Sequence, residues 1–353
     1  MRRDLHPLAW WAWAIGLAAY ASNVSNPWLL LLLIGAAGLV VAARRTNQPW
    51  SRSFRLYLVM GVAIVVIRVL FRILLGGTAG HVLIDLPQIP LPGWVLGIRL
   101  LGPLTREALL AGLYDGLRLA AIVIAIGAAN SLANPKRLLR SVPPALYEIG
   151  TALVVAVTVL PQLADSVQRV RRAQQLRSGH TRRIGRLRRF LVPVLEDALE
   201  RSLALAAGMD TRGYGRSGGA SLRQRRLTGT LMLLALLGLC AGTYGVLDST
   251  SPRWLATPMI VAGLVLAVIA LRVAGRRVQR TVYRPDPWRW PETVVVLTGV
   301  AVGVLGWWVS QHQATVAYPD VAAAPQVSPV ALVGALLGLL PAVATPEPRA
   351  VTA

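Results

Sequence analysis

One cysteine, one lysine and three phenylalanines stand in a chain of 353 residues. The lone Cys240 lies inside an apolar run, which rules out an intrachain disulfide and argues against a cysteine metal cluster. The single lysine, Lys136, sits in "NPKR", and no G-x-x-x-x-G-K-[ST] occurs anywhere. Without that phosphate-cradling loop and its lysine the chain is no P-loop ATPase. There is no H-E-x-x-H either, and His6, His81, His180 and His312 are scattered, so neither a metal site nor a catalytic residue is expected. Charge is scarce at 15%, against about 25% in an average soluble domain. No acidic or histidine cluster marks one membrane face, as a polytopic enzyme acting on lipid-linked substrates would require; that class remains the alternative. A self-sufficient secondary transporter would show matching broken helices in two halves, and the halves look unlike.

What is abundant is apolar residue: 55% of the chain, with a mean hydropathy of +0.55. Apolar runs lie at about 8–22, 27–43, 56–76, 111–132, 145–163, 228–247, 255–273, 293–309 and 329–345, several near the ~20 residues that span a bilayer. The start, "MRRDLHPLAWWAWAIGLAAY", has no clear small-residue cleavage site. A net charge of +22 suggests nucleic acid at first sight, but in a polytopic protein arginine crowds the cytoplasmic loops. Membrane lipids, not nucleic acid, are the expected surroundings.

Arginine placement sets the topology. Arg2 and Arg3 put the N-terminus inside, and Arg44, Arg45, Arg52 and Arg55 put the second inter-helix loop inside. Residues 77–110, poor in basic residues and rich in Pro and Gly, fall outside. If 145–163 crossed, residues 165–226, with fifteen Arg and five acidic residues, would be exported. That segment is therefore expected to lie along or under the membrane, started by Pro143–Pro144, bent at Pro161, with Glu148 awkward at mid-bilayer. The expectation is an all-α polytopic helical membrane protein with about eight transmembrane helices plus cytoplasmic amphipathic coupling helices, both termini cytoplasmic, in the cell inner (plasma) membrane. Its divisions are 1–132, an N-terminal transmembrane domain of about four spans; 133–226, a cytoplasmic coupling-helix region; and 227–353, a C-terminal transmembrane region of about four spans.

The cytoplasmic middle carries the pattern of interest. Leu163, Val167 and Val170 share one helix face, opposite Gln168, Arg169, Arg171 and Arg172. After the basic "TRRIGRLRR", a second amphipathic helix runs from about Leu187 to Asp210, with Glu196, Asp197, Glu200 and Arg201 on its polar side. Both helices end alike, at Leu176-Arg177-Ser178-Gly179 and Thr211-Arg212-Gly213. A glycine past a helix end and a cation in its last turn make an ordinary C-cap, stabilising by a few tenths to about one kcal/mol. Two such ends on consecutive cytoplasmic helices also suit docking, because arginine's planar fork fits a partner carboxylate.

These residues resemble the transmembrane T component of energy-coupling factor (ECF) transporters, the CbiQ family. The resemblance covers roughly residues 1–226 and rests on "GLYDGLRLA" at 112–120, "ANPKRLLRSVP" at 133–143, "AQQLRSG" at 173–179 and "MDTRGYG" at 209–215. It implies a non-catalytic scaffold joining a substrate-binding S component to two ABC ATPase subunits, for vitamin or metal-ion uptake. No cofactor is implied for the chain itself, since the partners bind ATP. Each coupling helix of the family ends in an Ala-Arg-Gly-type motif whose arginine docks in a groove of one ATPase. Carried over, the docking residues are Arg177, Ser178, Gly179, Arg212 and Gly213. The chain departs from the family pattern at Leu176, Ser178 and Thr211, and by its longer tail. The spans in 248–353 are expected to be dispensable for ATPase docking.

Three further residues are candidates for intramembrane charge pairing. Arg68 and Arg72 lie one turn apart in the third run, and Asp115 starts the fourth with Arg118. Trp10, Trp11 and Trp13 read as an interfacial belt, and "LPQIPLPGW" at 86–94 as an outer loop.

Overall fold

A computed structural model describes residues 3–46, 53–75, 80–87, 89–90, 99–176, 183–214, 221–248, 252, 255–275 and 286–346. Seven of its helices are long and apolar enough to cross a membrane: Pro27–Arg44, Phe54–Leu74, Arg106–Leu132, Glu148–Ala173, Leu222–Leu247, Thr257–Gly275 and Trp290–His312. The protein is an all-α, multi-pass helical membrane protein. Residues 1–138 with 285–353 form one compact unit and 139–284 form a second. The grouping follows contacts, whereas the expected division into 1–132, 133–226 and 227–353 follows membrane side.

In the first unit, α1 (Pro7–Ser22), α2 (Pro27–Arg44), α3 (Phe54–Leu74) and α4 (Arg106–Leu132) come from the N-terminal stretch, and α5 (Pro135–Arg140) begins at its edge. Between α3 and α4, β1 (Val82–Asp85) pairs antiparallel with β4 (Pro103–Thr105), and β2 (Ile89–Pro90) with β3 (Arg99–Leu100). Thr105 caps α4, its hydroxyl accepting from the Ala108 N–H at 3.2 Å.

The C-terminal stretch completes this unit. Helix α10 (Trp290–His312) lies along α1, the short α11 (Ala314–Ala317) follows it, and α12 (Pro329–Leu337) and α13 (Leu340–Ala344) pack on α2 and α10. Small residues let α1 and α10 approach: a Cβ added at Gly299 would fall 2.5 Å from Trp13 Cα, and one at Gly306 2.7 Å from Tyr20 Cα. Trp13, Leu17, Tyr20, Leu29, Leu30, Val40, Val295, Val302 and Val309 are buried together. Several buried polar groups of the unit find partners, as groups away from water need to, although Asp4 Oδ1, Trp11 Nε1 and Arg44 Nε are buried without one among the described residues. Tyr20 Oη donates to the Ala331 carbonyl at 2.8 Å and Trp13 Nε1 to the Gly338 carbonyl at 3.2 Å. Asn26 Nδ2 donates to the carbonyls of Val316 and Gln326 at 2.9 and 2.8 Å.

Several sequence expectations need correction here. Trp10 and Trp13 are core residues, not an interfacial belt, because their side of α1 packs against the rest of the unit, while Trp11 is half-buried and Leu8 and Ile15 are exposed. The run at 329–345 is two short helices broken at Gly338–Leu339. That run and α1, of 16 residues, are therefore shorter than the seven helices named above. Val295, Val302 and Val309 belong to the first unit's core, so the chain from Pro285 onward is part of that unit.

The second unit holds α6 (Tyr147–Leu176), α7 (Arg183–Thr211), α8 (Leu222–Leu247) and α9 (Thr257–Gly275). A 3-10 turn at Pro144–Leu146 leads into α6. Pro161 lies inside α6 without ending it, so the expected apolar helix at 145–163 and the basic helix after it are one continuous helix. A proline removes one i→i−4 bond and bends a helix but leaves its other bonds in place. Helices α8 and α9 form a close pair, with Gly238 against Gly263.

Candidate functional site

Helix α7 ends as its sequence demands. Gly213 takes φ of +73°, the left-handed conformation that a side chain would strain. The Gly213 N–H donates to the Asp210 carbonyl at 2.9 Å and the Tyr214 N–H to the Met209 carbonyl at 3.1 Å. These are the two bonds of a Schellman C-cap, with Gly213 just past the cap residue. Arg212 is that cap residue. It is exposed, and among the described residues its guanidinium has no hydrogen-bond or ion-pair partner. The first motif, Arg177, Ser178 and Gly179, lies outside the described residues.

Helices α6 and α7 pack on one another through polar groups. Asp197 on α7 reaches Arg169 on α6 at 3.6 Å and accepts from Arg201, one turn along its own helix, at 3.1 Å. The Ser166 hydroxyl of α6, and after it Arg201, hold the Asp197 carboxyl below the usual carboxylate range. The apolar side of α7 is turned outward instead: Leu191, Leu195, Leu199 and Leu203 are all exposed, spaced one turn apart. A contiguous exposed apolar stripe marks a face that meets another surface.

In the first unit, Arg72 Nη2 donates to Asp115 Oδ2 at 3.2 Å, with the two side chains 40% and 43% exposed. Gly112 and Gly116 on α4 let the arginine helix approach: a Cβ at Gly112 would fall 2.9 Å from Arg72 Cγ, and one at Gly116 3.4 Å from Arg68 Cβ. Arg68 is beside this pair and, among the described residues, has no partner of its own. Arg118 donates elsewhere, to the Ser22 carbonyl. Of the three charge-pairing candidates, the structure brings Arg72 and Asp115 together.

Sequence reasoning missed the polar knot around Glu292. This carboxylate is fully buried, pairs with Arg3 at 2.7 Å and accepts the Arg289 N–H at 3.1 Å. A signal existed: a glutamate three residues after Arg289, at the mouth of an apolar run, is a capping-box position. Among the described residues no group of three or more His, Cys, Asp or Glu side chains is placed to hold a metal ion.

The family described as CbiQ, cobalt transport protein, matches residues 1–222. A curated relative, the energy-coupling factor transporter transmembrane protein EcfT of Exiguobacterium sibiricum, is 34% identical over 104 residues. That match covers 26% of this chain and 40% of the relative's length. The matched family region takes in α1 to α4, α6, α7 and the Arg212–Gly213 cap. With residues 1–222 of its 353 matched, the chain belongs to the CbiQ family of cobalt transport proteins.

Proposed function

We propose that this protein is the non-catalytic transmembrane energy-coupling subunit of an ECF-type ABC importer. It joins two ABC ATPase subunits to a substrate-binding S component that takes up a vitamin or a metal ion. It sits in the plasma membrane with both termini cytoplasmic, and ATP is bound by the partner subunits. Arg212, presented by the end of α7 with Gly213 turning the chain away, is one docking side chain, and Arg177, with Ser178 and Gly179, is the other.

The observation that carries this reading is the end of α7. A Schellman cap at Gly213 turns the backbone away sharply, and Arg212, just before it, is left exposed with no partner among the described residues. An arginine serving only its own helix would gain little there, a few tenths to about one kcal/mol. A guanidinium left free on a rigid helix tip suits a carboxylate-lined groove. The outward apolar stripe at Leu191, Leu195, Leu199 and Leu203 supports a helix that works against another surface. The family match to 1–222 supports the transporter setting.

The direct test is affinity purification of the chain from native membranes in mild detergent. ATP-binding-cassette subunits should come with it in fixed ratio, and the chain stripped of them should bind no ATP. Stoichiometric ATP binding to the single chain, or its recovery free of any ATPase, would overturn the assignment.

A further inference from the structure

The chain leaves the first unit after Leu138 and comes back to it at Pro285. The residues beside these two crossings are bonded to each other. Arg137 Nε donates to Asp286 Oδ2 at 2.8 Å, and Arg137 Nη2 to Asp286 Oδ1 at 2.6 Å. This two-pronged arginine–carboxylate contact fixes orientation as well as distance. The same guanidinium reaches the Asp4 carbonyl, at 3.3 Å from Nη1 and 3.4 Å from Nη2.

Both sides of the contact are themselves held. On the outgoing side, Asn134 Oδ1 accepts the N–H groups of Lys136 at 3.0 Å and Arg137 at 3.4 Å, which sets the turn between α4 and α5. On the returning side, buried Glu292 accepts from Arg3 at 2.7 Å and from the Arg289 and His6 N–H groups at 3.1 and 3.4 Å. Arg3 also donates to the Pro287 carbonyl, and the His6 ring lies 5.3 Å from that of Trp288. The N-terminal segment, the outgoing turn and the returning segment are thus one hydrogen-bonded knot. Its carboxylates Asp286 and Glu292 lie beyond the family-matched residues 1–222, so the chain's own C-terminal extension supplies them.

We propose that Arg137 and Asp286 form a clasp that holds the two ends of residues 139–284 together. Movement of the coupling helices is then delivered to the first unit through one stiff point rather than through two independent tethers. This inference rests on the energy-coupling role proposed above. Arg137 and Asp286 are positioning residues. Their side chains are 21% and 35% exposed, so as a plain surface pair they would add little stability. A role in coupling therefore shows where a merely structural one does not, in the uptake obtained per ATP hydrolysed.

The experiment compares the complete transporter, reconstituted in liposomes, carrying Arg137→Asp, Asp286→Arg, both together, or Arg137→Lys. The single reversals should still assemble with the ATPases and hydrolyse ATP. Their uptake per ATP should fall on the order of tenfold, within the usual range of coupling between sites. The double reversal should restore most of the loss, and Arg137→Lys, which keeps charge but loses the fork, should fall between. Because Arg137→Lys keeps the charge, its unchanged melting guards against misfolding as the cause. Wild-type uptake per ATP in all the single variants overturns the clasp. So does a double reversal that melts like wild type yet transports no better than the singles. A wild-type chain that carries no ATPases would instead remove the coupling role itself, and the clasp with it.

Discussion

Gly16 of α1 and Gly299 of α10 face each other so closely that a Cβ added at Gly16 would fall 1.9 Å from the Gly299 carbonyl oxygen. Nearly three hundred residues of chain separate them, and one lies far beyond the family-matched region. The contact ties the stretch beyond residue 222 to the family-matched part of the chain. Substituting Gly16→Leu should force the two backbones apart and cost about 1–3 kcal/mol or more, as overpacking does. Gly35→Leu on α2, where an added Cβ meets nothing within 4 Å, is the matched control. Thermal unfolding in detergent should show a clear drop for the first and little change for the second. Equal melting of the two would mean that α1 and α10 do not meet this way.

Asn26 makes a second prediction about the extension. It is fully buried, caps α2 by accepting from the Trp28 N–H at 3.1 Å, and donates to Val316 and Gln326. Asn26→Ala leaves the buried Val316 carbonyl and the part-buried Gln326 carbonyl unpaired and removes the cap, at about 1–3 kcal/mol for the unsatisfied buried group and about 1 for the cap. Hydrogen exchange should quicken at residues 313–328 as well as at the start of α2. Acceleration confined to α2 would show that Asn26 serves only its own helix.

Asp197 predicts a pH dependence. Its carboxyl is held below its ordinary value in the folded protein, first by Ser166 and then by Arg201. The folded state therefore binds this proton less well than the unfolded chain. The stabilisation of the α6–α7 contact is fully present above about pH 4 and is lost as pH falls through the lower folded value. Protease protection of α7 should drop in that acid range, and Asp197→Asn should show the weaker protection already at neutral pH. A wild-type chain whose α7 protection is flat down to pH 3 would contradict the assignment.

How much of this was legible in the sequence depends on what each signal measures. Hydropathy found the long helices, such as Pro27–Arg44 and Trp290–His312, because spanning a bilayer needs a run of apolar residues whatever its neighbours. The glycine at 213 announced the helix end because few other residues accept that backbone. The partners of α10 were not legible, since Gly299, Gly303 and Gly306 form a stripe only when the helix is wound, and nothing local says what lies against it. Trp10 and Trp13 near a helix start look the same in sequence whether they face headgroups or a core. Amphipathicity placed Asp197 opposite Leu195 and Leu199 but did not say that the polar side would face α6. The pairing of Arg137 with Asp286 joins residues 149 positions apart, beyond the reach of any spacing rule.

The central claim concerns Arg212, and the decisive measurement is the affinity of the ATPases for the purified chain carrying Arg212→Glu, set beside Arg177→Glu and wild type. Breaking one partner of a buried charge pair costs about 3–5 kcal/mol, because the other charge stays behind unpaired. Loss of a simple cap arginine costs at most about one kcal/mol, and that from the stability of α7 rather than from binding. The account predicts folded variants whose ATPase affinity is weaker by two orders of magnitude or more, about 1.4 kcal/mol per tenfold. Variants that bind the ATPases as tightly as wild type would contradict it and leave Arg212 as the cap of its own helix.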